Sequence, residues 1–186
     1  GAGGFREAKS PVTPYTASPL DGGPSAPNLI TVTGQAYPIT VGAGGAGISY
    51  PSNSDAPGNP GNNSVFDTIT SAGGGGGGNI FTSSSHDSGA NGGSGGGSSQ
   101  VLDGSGTPSG GSGNTPPVSP PQGQPGGGSG PNNVNGSGGG GGAGGAGANG
   151  GAQDSYQNIA GSAGQGDGTA VNLGFATTIQ NNGGFI

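Results

Sequence analysis

A chain of 186 residues with 52 Gly, 16 Pro and only 25 Leu, Ile, Val and Phe has too few apolar side chains to organise an enzyme-sized core. Two cations (Arg6 and Lys9) against eight carboxylates give a net charge of −6, which argues against a nucleic-acid partner. No apolar run approaches the roughly 18 residues of a membrane span, Gly does not recur strictly every third residue as in collagen, and without Cys no disulfide or thiolate metal site can staple the fold.

Residues 1–28 form a Pro-rich segment in which Pro11, Pro14, Pro19, Pro24 and Pro27 forbid helix and strand interiors. Extended, polyproline-like backbone is expected there, with a turn at Asp21-Gly22-Gly23-Pro24. A chain that starts Gly1-Ala2-Gly3 and lacks Met reads as processed or as a fragment.

Residues 29–87 alternate short strands with glycine runs. Leu29-Ile30-Thr31-Val32-Thr33 is rich in β-branched residues, Gly34-Gln35-Ala36 suits a three-residue turn, and Tyr37-Pro38-Ile39-Thr40-Val41 completes an expected hairpin. Pro38 cannot donate to a ladder, so its strand belongs at an edge. Ser64 to Ser71 predicts a further strand. Each of these modules leads into glycine: Gly42 to Gly47 interrupted by two Ala, then Gly73 to Gly78 without interruption.

Residues 88–151 are Gly-, Ser- and Pro-rich, with Thr115-Pro116-Pro117-Val118-Ser119-Pro120-Pro121 at the centre and a second pure run from Gly138 to Gly142. Residues 152–186 close the chain with a strand expected at 171–179, where Val171, Leu173, Phe175, Thr177 and Ile179 share one side. Nothing predicts an α-helix.

Glycine at this density is either linker or lattice. Ordering each residue costs roughly 1–2 kcal/mol, and one hydrogen bond returns only about 0.5–1.5 kcal/mol. An isolated run therefore stays disordered. Many runs side by side can order one another, because the three-residue-per-turn polyproline-II helix points every N–H and C=O outward and glycine lets neighbours approach closely. Charged residues make up only 5% of the chain, so little self-repulsion opposes such packing. The fold class expected is all-β or irregular: short strands and hairpins with packed left-handed polyglycine-II helices and essentially no α-helix. The expected packing residues are Gly73, Gly74, Gly75, Gly76, Gly77 and Gly78, together with Gly138, Gly139, Gly140, Gly141 and Gly142.

The segment Gly1-Ala2-Gly3-Gly4-Phe5-Arg6-Glu7, the segment Tyr37 to Gly47, and Ser64 to Ala72 ahead of six glycines together resemble the glycine-rich domains of bacteriophage tail-fibre and virion-surface proteins. That resemblance implies polyglycine-II stacking, with loops between the runs touching a host receptor. Long Pro/Ser/Asn spacers and few loop aromatics depart from the adhesins of this kind.

Catalytic and cofactor chemistry finds little support. His86 is the sole histidine, within Ser83-Ser84-Ser85-His86-Asp87-Ser88, and neighbours in one polar loop cannot form a triad. Zinc lacks further ligands, no Gly-Lys-Ser/Thr phosphate loop exists, and Gly164 to Val171 is one imperfect copy of a calcium turn that needs stacked repeats. The remaining carboxylates read as solubility charges, and the Asn62 and Asn135 glycosylation sequons as chance matches.

The expectation is a structural and adhesive component of a phage virion, a tail fibre or surface spike, with no enzymatic activity and no cofactor. It would be extracellular or virion-exposed and would not insert into membranes. Alternatives are a subunit of a non-viral extracellular filament or sheath and, behind it, an ice-binding protein. Candidate receptor contacts are Tyr50, Asn53, Asp55, Phe81, His86 and Tyr156. Expected partners are a second copy (a homo-oligomer, trimer preferred, or a filament), other virion proteins, and a glycan or protein on the host surface.

Overall fold

A glycine run offers one donor and one acceptor per residue and no side chain, so its order must come from the backbones beside it. The computed structural model describes residues 1–12, 14–23, 27–48, 56–79, 88–100, 106–130 and 136–151. Among them no helix occurs, and the only strands are β1 (Ile39–Thr40), β2 (Ser64–Phe66) and β3 (Ile69–Ser71). The rest is a bundle of extended runs: run 1 (1–5), run 2 (42–47), run 3 (57–62), run 4 (72–78), run 5 (89–93), run 6 (94–99), run 7 (108–114), run 8 (122–130), run 9 (136–142) and run 10 (145–151).

Run 4 shows the repeat. The carbonyls of Gly73 and Gly76 accept from Gly93 and Ala90 of run 5, and those of Gly74 and Gly77 accept from Gly61 and Gly58 of run 3. The N–H groups of Gly75 and Gly78 donate to Ser94 and Gly97 of run 6. Every third residue faces the same neighbour. Among the described glycines only Gly23 and Gly106 have positive φ. Extended backbone of negative φ with three residues per turn is the left-handed polyproline-II helix, here made largely of glycine.

The runs pack as a hexagon around run 6. Run 6 exchanges backbone hydrogen bonds with runs 1, 4, 5, 7, 8 and 9. Those neighbours also bond one another in a closed ring. Gly4 N–H to Ala72 C=O is 2.7 Å (runs 1 and 4), Gly93 to Gly73 2.8 Å (5 and 4), and Gly89 to Ser109 2.9 Å (5 and 7). Gly126 to Gly111 is 2.9 Å (8 and 7), Gly127 to Gly139 2.8 Å (8 and 9), and Ala2 to Gly141 3.3 Å (1 and 9). Run 10 sits outside runs 8 and 9, run 3 outside run 4, and run 2 outside run 3. Residues 92–99 are buried throughout. The core is therefore backbone, and the buried apolar side chains among the described residues are only Leu20, Ala72, Pro108 and Ala143.

The close approach is what excludes side chains. A Cβ placed on Gly96 would strike the carbonyl of Gly76, one on Gly95 that of Gly111, and one on Gly138 that of Gly127. At Gly44 and Gly47 of run 2 a Cβ would meet nothing within 4 Å. Gly73 to Gly78 lie in run 4 and Gly138 to Gly142 in run 9, both of which hydrogen-bond through their backbones to neighbouring runs.

The strand expectations change in detail. Residues 29–33 do not pair with 37–41. Instead, Ile39 and Thr40 pair antiparallel with Phe66 and Val65, and the three-stranded order is β1-β2-β3. The Tyr37 hydroxyl accepts the Thr33 N–H at 2.6 Å, removing a donor the hairpin ladder would use. Nor is 64–71 a single strand. Asp67 takes φ 52°, a left-handed position that Asp tolerates, so the segment folds into the β2–β3 hairpin. The strand expected at 171–179 lies outside the described residues.

Within residues 5–28 the chain winds around Glu7. Its carboxylate accepts from the Ser18 N–H at 2.9 Å, and its carbonyl accepts from Gly22 N–H and Asn28 Nδ2. Asp21 Oδ1 accepts from the N–H groups of Lys9 and Gly23, and Leu20 is packed beneath at 1% exposure. Glu7 and Asp21 are thus structural acceptors rather than solubility charges.

Candidate functional site

Consecutive runs alternate in direction. Run 4 is antiparallel to runs 1, 3 and 5 and parallel to run 6, while run 6 is antiparallel to runs 7 and 9 and parallel to run 8. Run 2 is antiparallel to run 3, and run 10 is parallel to run 8. Runs 2, 4, 6, 8 and 10 therefore all finish at one end of the bundle, and runs 3, 5, 7 and 9 all begin there. The opposite end carries the Glu7 segment, the three-stranded sheet, and the connection 114–122.

That opposite end is built from side-chain hydrogen bonds. Asn114, at φ 49°, accepts on Oδ1 from Val118 and Gln122 N–H groups and donates from Nδ2 to the Val118 carbonyl. Gln122, 1% exposed, accepts the Ala72 N–H on Oε1 at 2.8 Å and donates from Nε2 to the Pro116 carbonyl at 3.0 Å. It locks the connection 114–122 onto run 4. Sequence reasoning missed Glu7, Asn114 and Gln122. Only Asn114 carried a signal, as an Asn opening a Pro-rich turn.

The same end exposes apolar surface. Val41 is 84% and Ile39 69% exposed, and with Leu29 and Phe66 they line a groove of about 500 Å³ that Arg6 also lines; Val32 is 70% exposed. Tyr37 stacks obliquely on Phe66 at 5.9 Å between ring centroids. β1 is an edge strand, as Pro38 implies.

The segments joining runs at the other end are 49–55, 80–87, 101–105 and 131–135, and residues 152–186 follow run 10. Tyr50, Asn53, Asp55, Phe81, His86 and Tyr156 belong to them and lie outside the described residues. The described residues from which these segments depart, Ile48, Asn79, Gln100, Gly130 and Gly151, all lie at that end. Asp55, Asp87, Asp103, Asp154 and Asp167 belong to the same segments, whereas Arg6 and Lys9 belong to the opposite end. Among the described residues no group of three His, Cys, Asp or Glu is placed to hold a metal ion.

The glycine-rich domain model matches residues 1–184. The chain belongs to the glycine-rich domain family. Neither a curated protein nor a solved structure matches it. In this glycine-rich domain the phenols of the sheet end differ electrostatically. Tyr15 is pushed up by partial desolvation, by its hydrogen bond to Glu7, and by the charges of Glu7 and Asp21. Tyr37 is drawn down by hydrogen bonds from the Thr33 side chain and backbone. In an alkaline titration followed by ring proton resonances, Tyr37 is expected to ionise before Tyr15. Tyr15 then contributes stability below the unfolded tyrosine value that is lost as pH rises through its own. Tyr37 contributes in the opposite sense, above the unfolded value. The reverse order of ionisation would remove the Thr33–Tyr37 contact from solution.

Proposed function

We propose that this glycine-rich domain is a structural and adhesive part of a phage virion, a tail-fibre or surface-spike domain facing the medium. The observation that carries the reading is the alternation of the runs. It ties the segments with Tyr50, Phe81, His86 and Tyr156 to one end of a side-chain-poor bundle, leaving the sheet end for attachment. Residues on connections held by a fixed scaffold can diversify without disturbing the runs, as recognition surfaces require. The resemblance of residues 1–7, 37–47 and 64–72 to virion-surface domains supplies the viral setting.

Attachment to a second copy or to a neighbouring virion protein would use Leu29, Val32, Ile39, Val41 and Phe66. A single chain already pairs most of the run 4 backbone with its own runs, so association at the sheet end rests on this apolar surface. An extracellular filament subunit is the second reading, favoured by the same surface and by the edge strand β1.

The test is binding of the labelled chain to a panel of bacterial cells, beside a Tyr50→Ala/Phe81→Ala/Tyr156→Ala variant. Saturable binding to some strains is expected, weakened about tenfold or more in the variant with unchanged melting. No binding to any strain, or equal binding by the variant, would overturn the adhesive reading.

A further inference from the structure

Around run 4 the hexagonal packing is incomplete. Runs 1 and 3 both bond to run 4, yet no hydrogen bond joins run 1 to run 3 or to run 2. Between them lies a groove of about 480 Å³ lined by Gly1, Gly3 and Gly4 of run 1, Gly42 to Gly45 of run 2, Asn59, Gly61 and Asn62 of run 3, and Ala72 to Gly75 of run 4. Ser64 and Ser71 of the sheet close one end.

Four runs bound this position. A run placed in it would have as many neighbours as run 1 or run 4 and more than run 2 or run 10. The wall is nearly all backbone, and its one charged group, the Gly1 α-ammonium, donates to the Gly75 carbonyl. No described residue accepts from the N–H groups of Gly3, Gly44, Gly45 or Gly74. About three residues of each wall run face the groove, or roughly 9 Å of strand at 3.1 Å per residue, one turn of the three-fold helix.

We propose that this groove is a docking site for a glycine-rich, uncharged polypeptide strand supplied by another chain, taken up in the same three-fold extended conformation. It is the polyglycine counterpart of adding a strand to a sheet edge. The incoming backbone pairs with wall N–H and C=O groups, and specificity comes from exclusion. The surrounding walls demand glycine for the reason that a Cβ on Gly73 or Gly74 would strike the carbonyl of a neighbouring run. Side chains such as Asn or Ser are accepted only on the open side. An occupant with a Cβ at every position is held off the walls, and a charged side chain would lose its hydration against walls whose only charge, the Gly1 α-ammonium, is already given to the Gly75 carbonyl.

The experiment titrates the isotope-labelled full chain with a soluble peptide of repeating Gly-Gly-Asn and follows amide resonances. Saturable shifts are expected at Gly3, Gly44, Gly45 and Gly74, with run 6 unaffected. A matched Ala-Ala-Asn peptide is expected to give none. Gly44 lines the groove with no atom within 4 Å of where its Cβ would lie. Gly44→Leu should therefore keep the run 6 resonances and weaken the peptide about tenfold or more by filling space it needs. Absence of saturable shifts at millimolar peptide, or equal binding of the alanine peptide, would overturn the proposal. The peptide comparison needs no variant, so it decides even if Gly44→Leu unfolds. Failure here would leave the adhesive reading standing, since that reading concerns the opposite end's loop residues and a different assay. Dissociation of a dimer by the glycine peptide would identify a second copy as the source of the strand.

Discussion

Gly96→Ala, the addition of one methyl group, is expected to cost about 3 kcal/mol or more, or to prevent folding altogether. Overpacking a side-chain core typically costs about 1–3 kcal/mol because rotamers shift to absorb the intruder. Run 6 has no such relief. The new Cβ would meet the backbone carbonyls of Gly76 and Gly75, and moving run 4 breaks its bonds to runs 1, 3 and 5 as well. A small domain holds only about 5–15 kcal/mol in reserve. Gly44→Ala and Gly47→Ala provide the contrast. Both positions are open, so alanine should be neutral or stabilise by about 0.4–1 kcal/mol through a less flexible unfolded chain. Thermal unfolding of the three variants separates them. Equal melting of Gly96→Ala and Gly44→Ala would mean that the hexagonal packing is not what holds the chain.

The second large effect belongs to Gln122. Gln122→Ala strands the Ala72 N–H, in a residue only 5% exposed, and unfastens the Pro116 carbonyl. A stranded buried polar group costs about 1–3 kcal/mol, so a loss of that size or somewhat greater is expected in urea unfolding. Gln122→Glu gives a sharper signature. A protonated Glu can accept from Ala72 and donate to Pro116 as Gln does, whereas the carboxylate would be buried facing a carbonyl. Its folded pKa would be raised above the ordinary value of about 4.3. By linkage the variant should approach wild-type stability at pH below that value and lose stability as pH rises through the folded pKa. A cost independent of pH would show that Gln122 fills space rather than bridging two backbones.

The sequence disclosed the building material better than the plan. Six consecutive glycines after Ser71-Ala72, in a chain of low charge, already called for backbone packing, and Gly73 to Gly78 pack that way. The direction and neighbours of each run were not legible. Glycine has no side-chain period, so nothing in a run marks which face meets which neighbour. Strands carried more signal, but it pointed to the wrong partner for Ile39 and Thr40. The local segment 29–33 was nearer along the chain, while the better ladder came from Val65 and Phe66. Glu7 was misread because burial of a carboxylate depends on Ser18, Gly22 and Asn28 wrapping back over it, which a scan for isolated charges does not see. The six candidate contact residues were chosen one by one for their chemistry. That their segments all depart from one end of the bundle became visible only when the run directions were known.

A core made of backbone also changes how stability responds to heat. In ordinary domains, exposure of apolar groups on unfolding raises the heat capacity and bends the stability curve into a steep dome, while exposure of peptide groups lowers it. Here the buried apolar side chains among the described residues amount to Leu20, Ala72, Pro108 and Ala143, and what melts is chiefly amide paired with amide. The two contributions then come closer to cancelling, and the dome flattens. Such a domain loses little of its stability on cooling toward freezing, where the hydrophobic drive that holds other proteins together is fading. Its reserve varies little across the temperatures at which it must stay folded.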